Sequence, residues 1–207
     1  MKIEIWSDVV CPWCYIGKRR LERALAGLPA GSQAEVVWRS FELDPGAPRE
    51  RMVPPAEHLA HKYGVGLPEA RTMITRVADT AKQEGLACRL EEARSGNTFD
   101  AHRLEHFAAA RGAGDRAVEV LMDAYFCKGV PVGDRAALAA LAPAMGLGEA
   151  EARTMLESDA YADAVRADEA EAGRLGISGV PFFVIDGKEH ISGAQPVEVF
   201  AQALRRG

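Results

Sequence analysis

The sequence predicts an α/β fold split by a long helical stretch, and three observations carry that prediction. Residues 2–41 pass from an alternating pattern to a helical one and back. Residues 182–204 hold two further strand-like runs around a turn signal, then a helical pattern. Between them, apolar residues recur at helical spacing, punctuated by caps and breakers, with no clear strand signal.

Taken in order, Lys2-Ile3-Glu4-Ile5-Trp6 alternates polar and apolar side chains, as a strand with one buried face does. From Pro12 to Ala26 the period changes. Tyr15-Ile16, Leu21 and Leu25 interleave with Lys18, Arg19, Arg20, Glu22 and Arg23, which makes an amphipathic helix. Pro12 sits where the first turn needs no N–H, and Gly27-Leu28-Pro29 ends the run. A second strand is expected at Glu35–Phe41, so the opening unit is strand, helix, strand, with its strands parallel. Asp44-Pro45-Gly46-Ala47-Pro48 through Val53-Pro54-Pro55 reads as a connector. Helices follow at Leu67–Glu84, from an Asn97 N-cap to Arg111, and over Asp115–Lys128, Asp134–Met145, Glu149–Glu157 and Ala160–Leu175. The alanines there keep no fixed period, so this is not a repeat array. Strand pattern returns at Phe182-Phe183-Val184-Ile185, an Asp186-Gly187 turn leads into Glu189-His190-Ile191-Ser192, and a helix from Pro196 to Leu204 follows. The implied organisation is a discontinuous α/β domain, residues 1–48 and 176–207, carrying an inserted all-helical domain of residues 49–175.

Cys11-Pro12-Trp13-Cys14 stands where the first strand gives way to the first helix. Two thiols separated by two residues can share a helix turn, and so read as redox-active or metal-binding. Cys88 and Cys127 are isolated in the sequence and read as small buried apolar residues. A thiolate on Cys11 would face unpaired backbone N–H groups and the positive end of the helix dipole, both of which favour the anion. The thiolate is the nucleophile of disulfide exchange. Cys14, one turn deeper, is placed to attack the mixed disulfide and release the substrate. Cys11 attacks and Cys14 resolves. Neither Pro12 nor Trp13 can become cationic, so the couple is expected to be less oxidising than one with a histidine between the cysteines. Trp13 is expected to stand partly exposed beside the thiol and to touch substrate.

A strand–helix–strand start and a strand–strand–helix finish around such a pair is the thioredoxin-like arrangement. It sets Val180-Pro181, at the head of the third strand, opposite the cysteines. An X-Pro bond can be cis at little cost. A cis Pro181 there would offer the Val180 backbone groups to an extended substrate segment, as in strand addition.

Ser7-Asp8-Val9-Val10-Cys11-Pro12-Trp13-Cys14-Tyr15-Ile16-Gly17-Lys18 resembles the active-site stretch of the DsbA-like thioredoxin-fold oxidoreductases, in particular their FrnE-like branch. Asn97-Thr98-Phe99-Asp100-Ala101-His102-Arg103-Leu104, Gly179-Val180-Pro181-Phe182-Phe183-Val184 and Ser192-Gly193-Ala194-Gln195 resemble the same branch, and these motifs span nearly the whole chain in order. The resemblance implies a thioredoxin domain with an inserted helical domain, Cys11 as nucleophile, a cis bond at Pro181, and a monomer or homodimer. The same superfamily holds glutathione-dependent 2-hydroxychromene-2-carboxylate isomerases and kappa-class glutathione transferases, which carry a serine where this chain has Cys11 and lack the dithiol. That departure favours exchange with protein or small-molecule disulfides over the isomerase alternative. It leaves glutathione as a reductant and no cofactor bound.

Composition narrows the partners. With 48% hydrophobic and 27% charged residues the chain has globular rather than disordered composition. A formal net charge of -5 gives no electrostatic reason to expect nucleic acid. No window approaches the roughly 18 apolar residues of a membrane helix. Met1–Asp8 alternates instead of forming the roughly 7–15-residue apolar run of a secretory signal. A cytosolic location is expected, where glutathione keeps accessible dithiols reduced and the pair would reduce or isomerise disulfides. His102 and His106, four residues apart on one helix, could complete a Cys₂His₂ zinc site with Cys11 and Cys14. A long helix opening at Cys11 and a proline facing the thiols leave no turn around a metal, so none is expected. His102 and His106 read instead as partly buried packing residues of an alanine-rich helix, with His102 also a candidate substrate contact lining the groove over Cys11. His58 and His61 read as solvated surface. A peptide-binding or chaperone-like module is the remaining alternative, and the intact dithiol speaks against it.

Overall fold

The structure, a computed structural model, describes residues 1–29, 31–49 and 53–206. Part of the connector read at 44–55 therefore lies outside the described residues. Strand β1 (Lys2–Ser7) pairs in parallel with β2 (Glu35–Ser40), in register from Lys2 opposite Glu35 to Ser7 opposite Ser40. Helix α1 (Pro12–Ala26) connects them. On its other side β1 pairs antiparallel with β3 (Phe182–Ile185), which pairs antiparallel with β4 (Glu189–Ser192), for a sheet order β2-β1-β3-β4. The Asp186-Gly187 turn between β3 and β4 has both residues at positive φ, a conformation this residue pair tolerates.

The alternation in β1 does what it implies. Ile3 and Ile5 are fully buried on one face, against Leu21 and Ala24 of α1 and Phe200 and Leu204 of α9 (Val197–Leu204). Trp6 points the other way, into a cluster with Ala172, Ile177 and Val184. Ala172 belongs to α8 (Ala162–Arg174), which covers that second face. Asp168 of α8 fastens it: its carbonyl accepts from Trp6 Nε1 at 3.0 Å, and its carboxylate accepts from Ser40 N and from Arg39, each at 3.0 Å. Arg39 and His106 hold the Asp168 carboxylate below the usual range although burial works against it.

Between β2 and β3 run α2 (Pro55–Tyr63), α3 (Leu67–Gln83), a 3₁₀ turn (Leu90–Glu92), α4 (Phe99–Ala109), α5 (Gly114–Lys128), α6 (Arg135–Met145), α7 (Glu149–Glu157) and then α8. Helix α2 is not anticipated from the sequence, because Pro54-Pro55 carries a connector signal. Pro55 occupies the first turn, where proline is favoured, and Gly64 closes the helix in the left-handed conformation. Asn97 stands one residue outside its expected N-cap position, which Thr98 takes; the Asn97 side chain accepts from Phe99 N at 3.0 Å in a local turn. Asp134 caps α6 by accepting from Ala137 N at 2.7 Å.

Lys18, one of the charged residues of the amphipathic α1 pattern, is only 3% exposed. Its ammonium meets Glu22, Asp115 and Glu119, tying α1 to α5. Burial alone would lower its pKa, but the three carboxylates raise it.

Candidate active site

The site starts where β1 stops. After Ser7 the chain turns, and Cys11 N donates to the Asp8 carbonyl at 3.1 Å. Cys11 keeps an extended backbone (φ -92°, ψ 109°) and is the N-cap of α1, with Pro12 in the first turn. Cys14 follows one turn on, its N–H donating to the Cys11 carbonyl at 3.0 Å. Both cysteines are free thiols; Cys11 is 5% exposed and Cys14 1%. Burial, and then the Cys11 thiol beside it, push the Cys14 thiol well above its ordinary pKa; the neighbouring Ser7 hydroxyl works the other way. Cys14 is thus held as a thiol until something withdraws its proton.

Cys11 Sγ lies 3.5 Å from the Val180 carbonyl and donates to it. The Val180–Pro181 bond is cis. Pro181 is held by its carbonyl, which accepts from Gly193 N at 2.8 Å, while the Val180 N–H has no hydrogen-bond partner among the described residues. Gly17 permits the close approach of α1 to this segment. A Cβ there would lie 3.1 Å from Pro181 Cγ and 3.1 Å from Phe183 Cζ.

Cys11, Pro12, Trp13 and Val180 line one side of a mainly apolar cleft of about 370 Å³. Leu59 and Tyr63 of α2, Met73 and Val77 of α3, and Phe126 of α5 face them. Trp13 (41% exposed) and Tyr63 (56%) stand at its rim. His58 also lines the cleft and is half-buried, not the solvated surface residue expected. These α2 residues escaped the sequence reading for the same reason as the helix itself.

His102 does not line the groove. It is fully buried on α4, its Nδ1 at 2.8 Å from Glu105 and its Nε2 at 3.6 Å from Asp8 Oδ1, just beyond hydrogen-bond distance. Burial would favour the neutral ring, but the carboxylates of Glu105 and Asp8 raise its pKa well above the ordinary value. Asp8 and Glu105 draw the ring inward, which leaves His102 without the groove contact expected of it. Asp8, itself 1% exposed, also accepts from Leu43 N at 2.8 Å. The signal for this cluster was present: an aspartate three residues before Cys11, and a glutamate one turn after His102.

His106 lies elsewhere. Its Nε2 meets Ser40 Oγ and Asp168, each at 3.1 Å, at a second cleft of about 330 Å³ along β2. Among the described residues no group of three or more histidine, cysteine or acidic side chains is placed to hold a metal ion.

Comparison with known proteins identifies the fold and the family. The probable DsbA oxidoreductase SCO1869 of Streptomyces coelicolor superposes with a TM-score of 0.94 at 46% identity, covering 100% of this chain and 89% of that one. A 2-hydroxychromene-2-carboxylate isomerase superposes with a TM-score of 0.73 at 15% identity, covering 100% of this chain and 95% of its own. The cytosolic disulfide reductase DsbM of Pseudomonas aeruginosa gives 0.62 at 19%, covering 100% and 98%. The last two, at such low identity, share the fold alone. The family model for the DSBA-like thioredoxin domain matches residues 2–205. With its strand–helix–strand start, antiparallel finish and paired thiols at the head of α1, the chain belongs to the DSBA-like thioredoxin domain family.

Proposed function

We propose that this protein is a thiol–disulfide oxidoreductase that reduces or isomerises disulfides through Cys11 and Cys14, as a member of the FrnE-like branch. The observation that carries the reading is Cys11 Sγ at the mouth of an apolar cleft, 3.5 Å from the Val180 carbonyl, with the buried Cys14 thiol one turn behind. The Cys11 thiolate attacks one sulfur of a substrate disulfide; the new Cys11–substrate bond forms as the substrate S–S bond breaks, and the leaving thiolate takes up a proton. Cys14 then gives up its proton and attacks Cys11 Sγ. The Cys11–Cys14 disulfide forms and the second substrate sulfur leaves reduced. Two glutathione molecules return the pair to dithiol and leave as oxidised glutathione, so glutathione is a reductant rather than a bound cofactor; a DsbM structure has been solved with GSH.

The substrate is a protein or small-molecule disulfide in an extended segment. It would pair with the free Val180 N–H and the Val180 carbonyl, and lay an apolar side chain on Pro12, Trp13 and the facing α2 and α3 residues. Pro181 sets the direction of that segment, and His102 acts through Asp8. The setting proposed is cytosolic, as DsbM is described for its own organism; no helix among the described residues is long and apolar enough to cross a membrane. The working unit is a monomer or homodimer, and residues 1–48 with 176–207 are proposed as the thioredoxin-like unit around the helical insertion 49–175. The isomerase alternative has no use for a second thiol behind Cys11.

Trapping tests the reading. Cys14→Ser is expected to accumulate substrates as mixed disulfides on Cys11, and Cys11→Ser to lose exchange with a model disulfide while staying folded. Undiminished turnover by folded Cys11→Ser would overturn it.

A further inference from the structure

Cys88 and Cys127, far apart in sequence and expected to be separate buried apolar residues, are neighbours in space. Their sulfurs are 3.0 Å apart and both residues are half-buried rather than enclosed. Cys88 lies in the segment between α3 and the 3₁₀ turn, and Cys127 in the last turn of α5. The next residue holds the two segments together: Arg89 N donates to the Phe126 carbonyl at 2.8 Å, and Arg89 Nη2 to the Cys127 carbonyl at 3.4 Å. A disulfide has its sulfurs about 2.05 Å apart, so closing this pair asks for about 1 Å of movement. A packing role alone gives no reason for two half-exposed thiols to face each other across such a tie.

We propose that Cys88 and Cys127 form a second dithiol, which a small-molecule disulfide such as oxidised glutathione converts to a disulfide. The pair would then clamp one wall of the active-site cleft, since Leu90 and Phe126, two and one residues away, both line it beside Cys11. The chemistry balances. Cys88, deprotonated, attacks one sulfur of oxidised glutathione; a Cys88–glutathione bond forms, the glutathione S–S bond breaks, and the released thiolate is protonated. Cys127 loses its proton and attacks Cys88 Sγ, expelling the second glutathione. Two protein thiols are oxidised by two electrons while one oxidised glutathione becomes two reduced ones. The order of attack follows from the surroundings. Burial raises both thiols and Asp123 raises both further, but the neighbouring Cys127 sulfur and Arg19 pull Cys88 back down, whereas Cys88 itself adds to the rise at Cys127.

The test is a variant with Cys11→Ser and Cys14→Ser, which keeps only this pair. Exposure to oxidised glutathione is expected to take its free thiols from two to none, with a Cys88–Cys127 link in the peptide map and no retained glutathione. Hydrogen exchange over residues 86–93 should slow on oxidation. Adding Cys127→Ser should stop the reaction at a glutathione adduct on Cys88. Should the double-serine variant not fold, the oxidised natural chain is mapped instead, where separate 11–14 and 88–127 links are expected. Stable glutathione adducts on both residues, or links between chains only, would overturn the second dithiol. Unchanged exchange over 86–93 would overturn the clamp.

Discussion

His102→Gln tests the part of the site that lies behind the cysteines. The side chain is fully buried, and so is Asp8, 3.6 Å from its Nε2. At that separation and an effective dielectric of about 20, the attraction between imidazolium and carboxylate is about 4–5 kcal/mol, before the cost of burying either charge. Glutamine keeps a polar group in nearly the same volume but removes the cation, leaving Asp8 as a buried carboxylate. Breaking a buried pair in this way costs about 3–5 kcal/mol. Asp8 keeps its bond from Leu43 N and Glu105 is 12% exposed, so the low end, about 3 kcal/mol, is expected. Urea unfolding of the natural chain, His102→Gln, Asp8→Asn and the double variant gives the coupling directly. The double variant should recover more than about 1 kcal/mol relative to the sum of the singles. The pH dependence has a definite sign. The folded pKa of His102 is raised, so its stabilisation is full below the unfolded value of about 6.5 and is lost as pH rises through the folded value. The stability gap between the natural chain and His102→Gln should therefore narrow in alkali. A coupling near zero, or a gap that widens with pH, refutes the reasoning.

Gly17→Ala should gain about 1 kcal/mol of helix propensity yet lose about 1–3 kcal/mol to overpacking against Pro181 and the buried Phe183. The net expectation is a lower urea midpoint together with slower disulfide exchange, and a more stable variant with unchanged exchange would count against the close approach. Lys18→Ala removes the buried ammonium from the α1–α5 contact, and should cost only about 1 kcal/mol, because Glu119 keeps its pair with Arg19 and Asp115 is exposed. Because the Lys18 pKa is raised, that stabilisation persists upward until the lysine itself titrates, so the measured loss should be flat across neutral pH. Brief iodoacetamide treatment of the reduced protein should modify Cys11 and spare Cys14, whose thiol is pushed up first by burial and then by Cys11. Peptide mapping that finds Cys14 labelled first would reverse the assigned order of attack.

Local periodicity made the sheet and most helices legible. The alternation Ile3, Ile5 against Trp6 needs no partner to be read, and Pro12 and Gly27 bracket α1 in the sequence itself. The paired thiols were legible for the same reason, since their chemistry depends on a spacing of three residues along one helix. What depends on tertiary neighbours was not. Lys18 is one charged residue among several until Glu22, Asp115 and Glu119 are brought around it from α1 and α5. The histidine spacing that suggested a metal describes two side chains that meet different acids, Glu105 and Asp8 for His102 and Asp168 for His106. Cys88 and Cys127 carry no mutual signal, because only the meeting of α5 with the segment after α3 makes them a pair.

The Asp8–His102 contact also bears on why the helical stretch cannot be a passive cover over the cysteines. Asp8 lies in the turn that delivers Cys11: its carbonyl accepts from Cys11 N at 3.1 Å, and its carboxylate holds Leu43 N. Leu43 lines the same cleft as Cys11, so one carboxylate joins the cysteine turn to the cleft's edge. A carboxylate this deeply buried is costly unless a cation compensates it. The compensating group is His102, and it is delivered by α4, from within the helical stretch. Burial would favour the neutral ring, and Glu105 on the same helix joins Asp8 in raising its pKa against that. The turn carrying Cys11 is therefore stabilised by residues that reach it only when the helices between β2 and β3 have packed. Folding of that stretch and assembly of the site around Cys11 are coupled through this buried charge pair, beside the Lys18 contacts that tie α1 to α5.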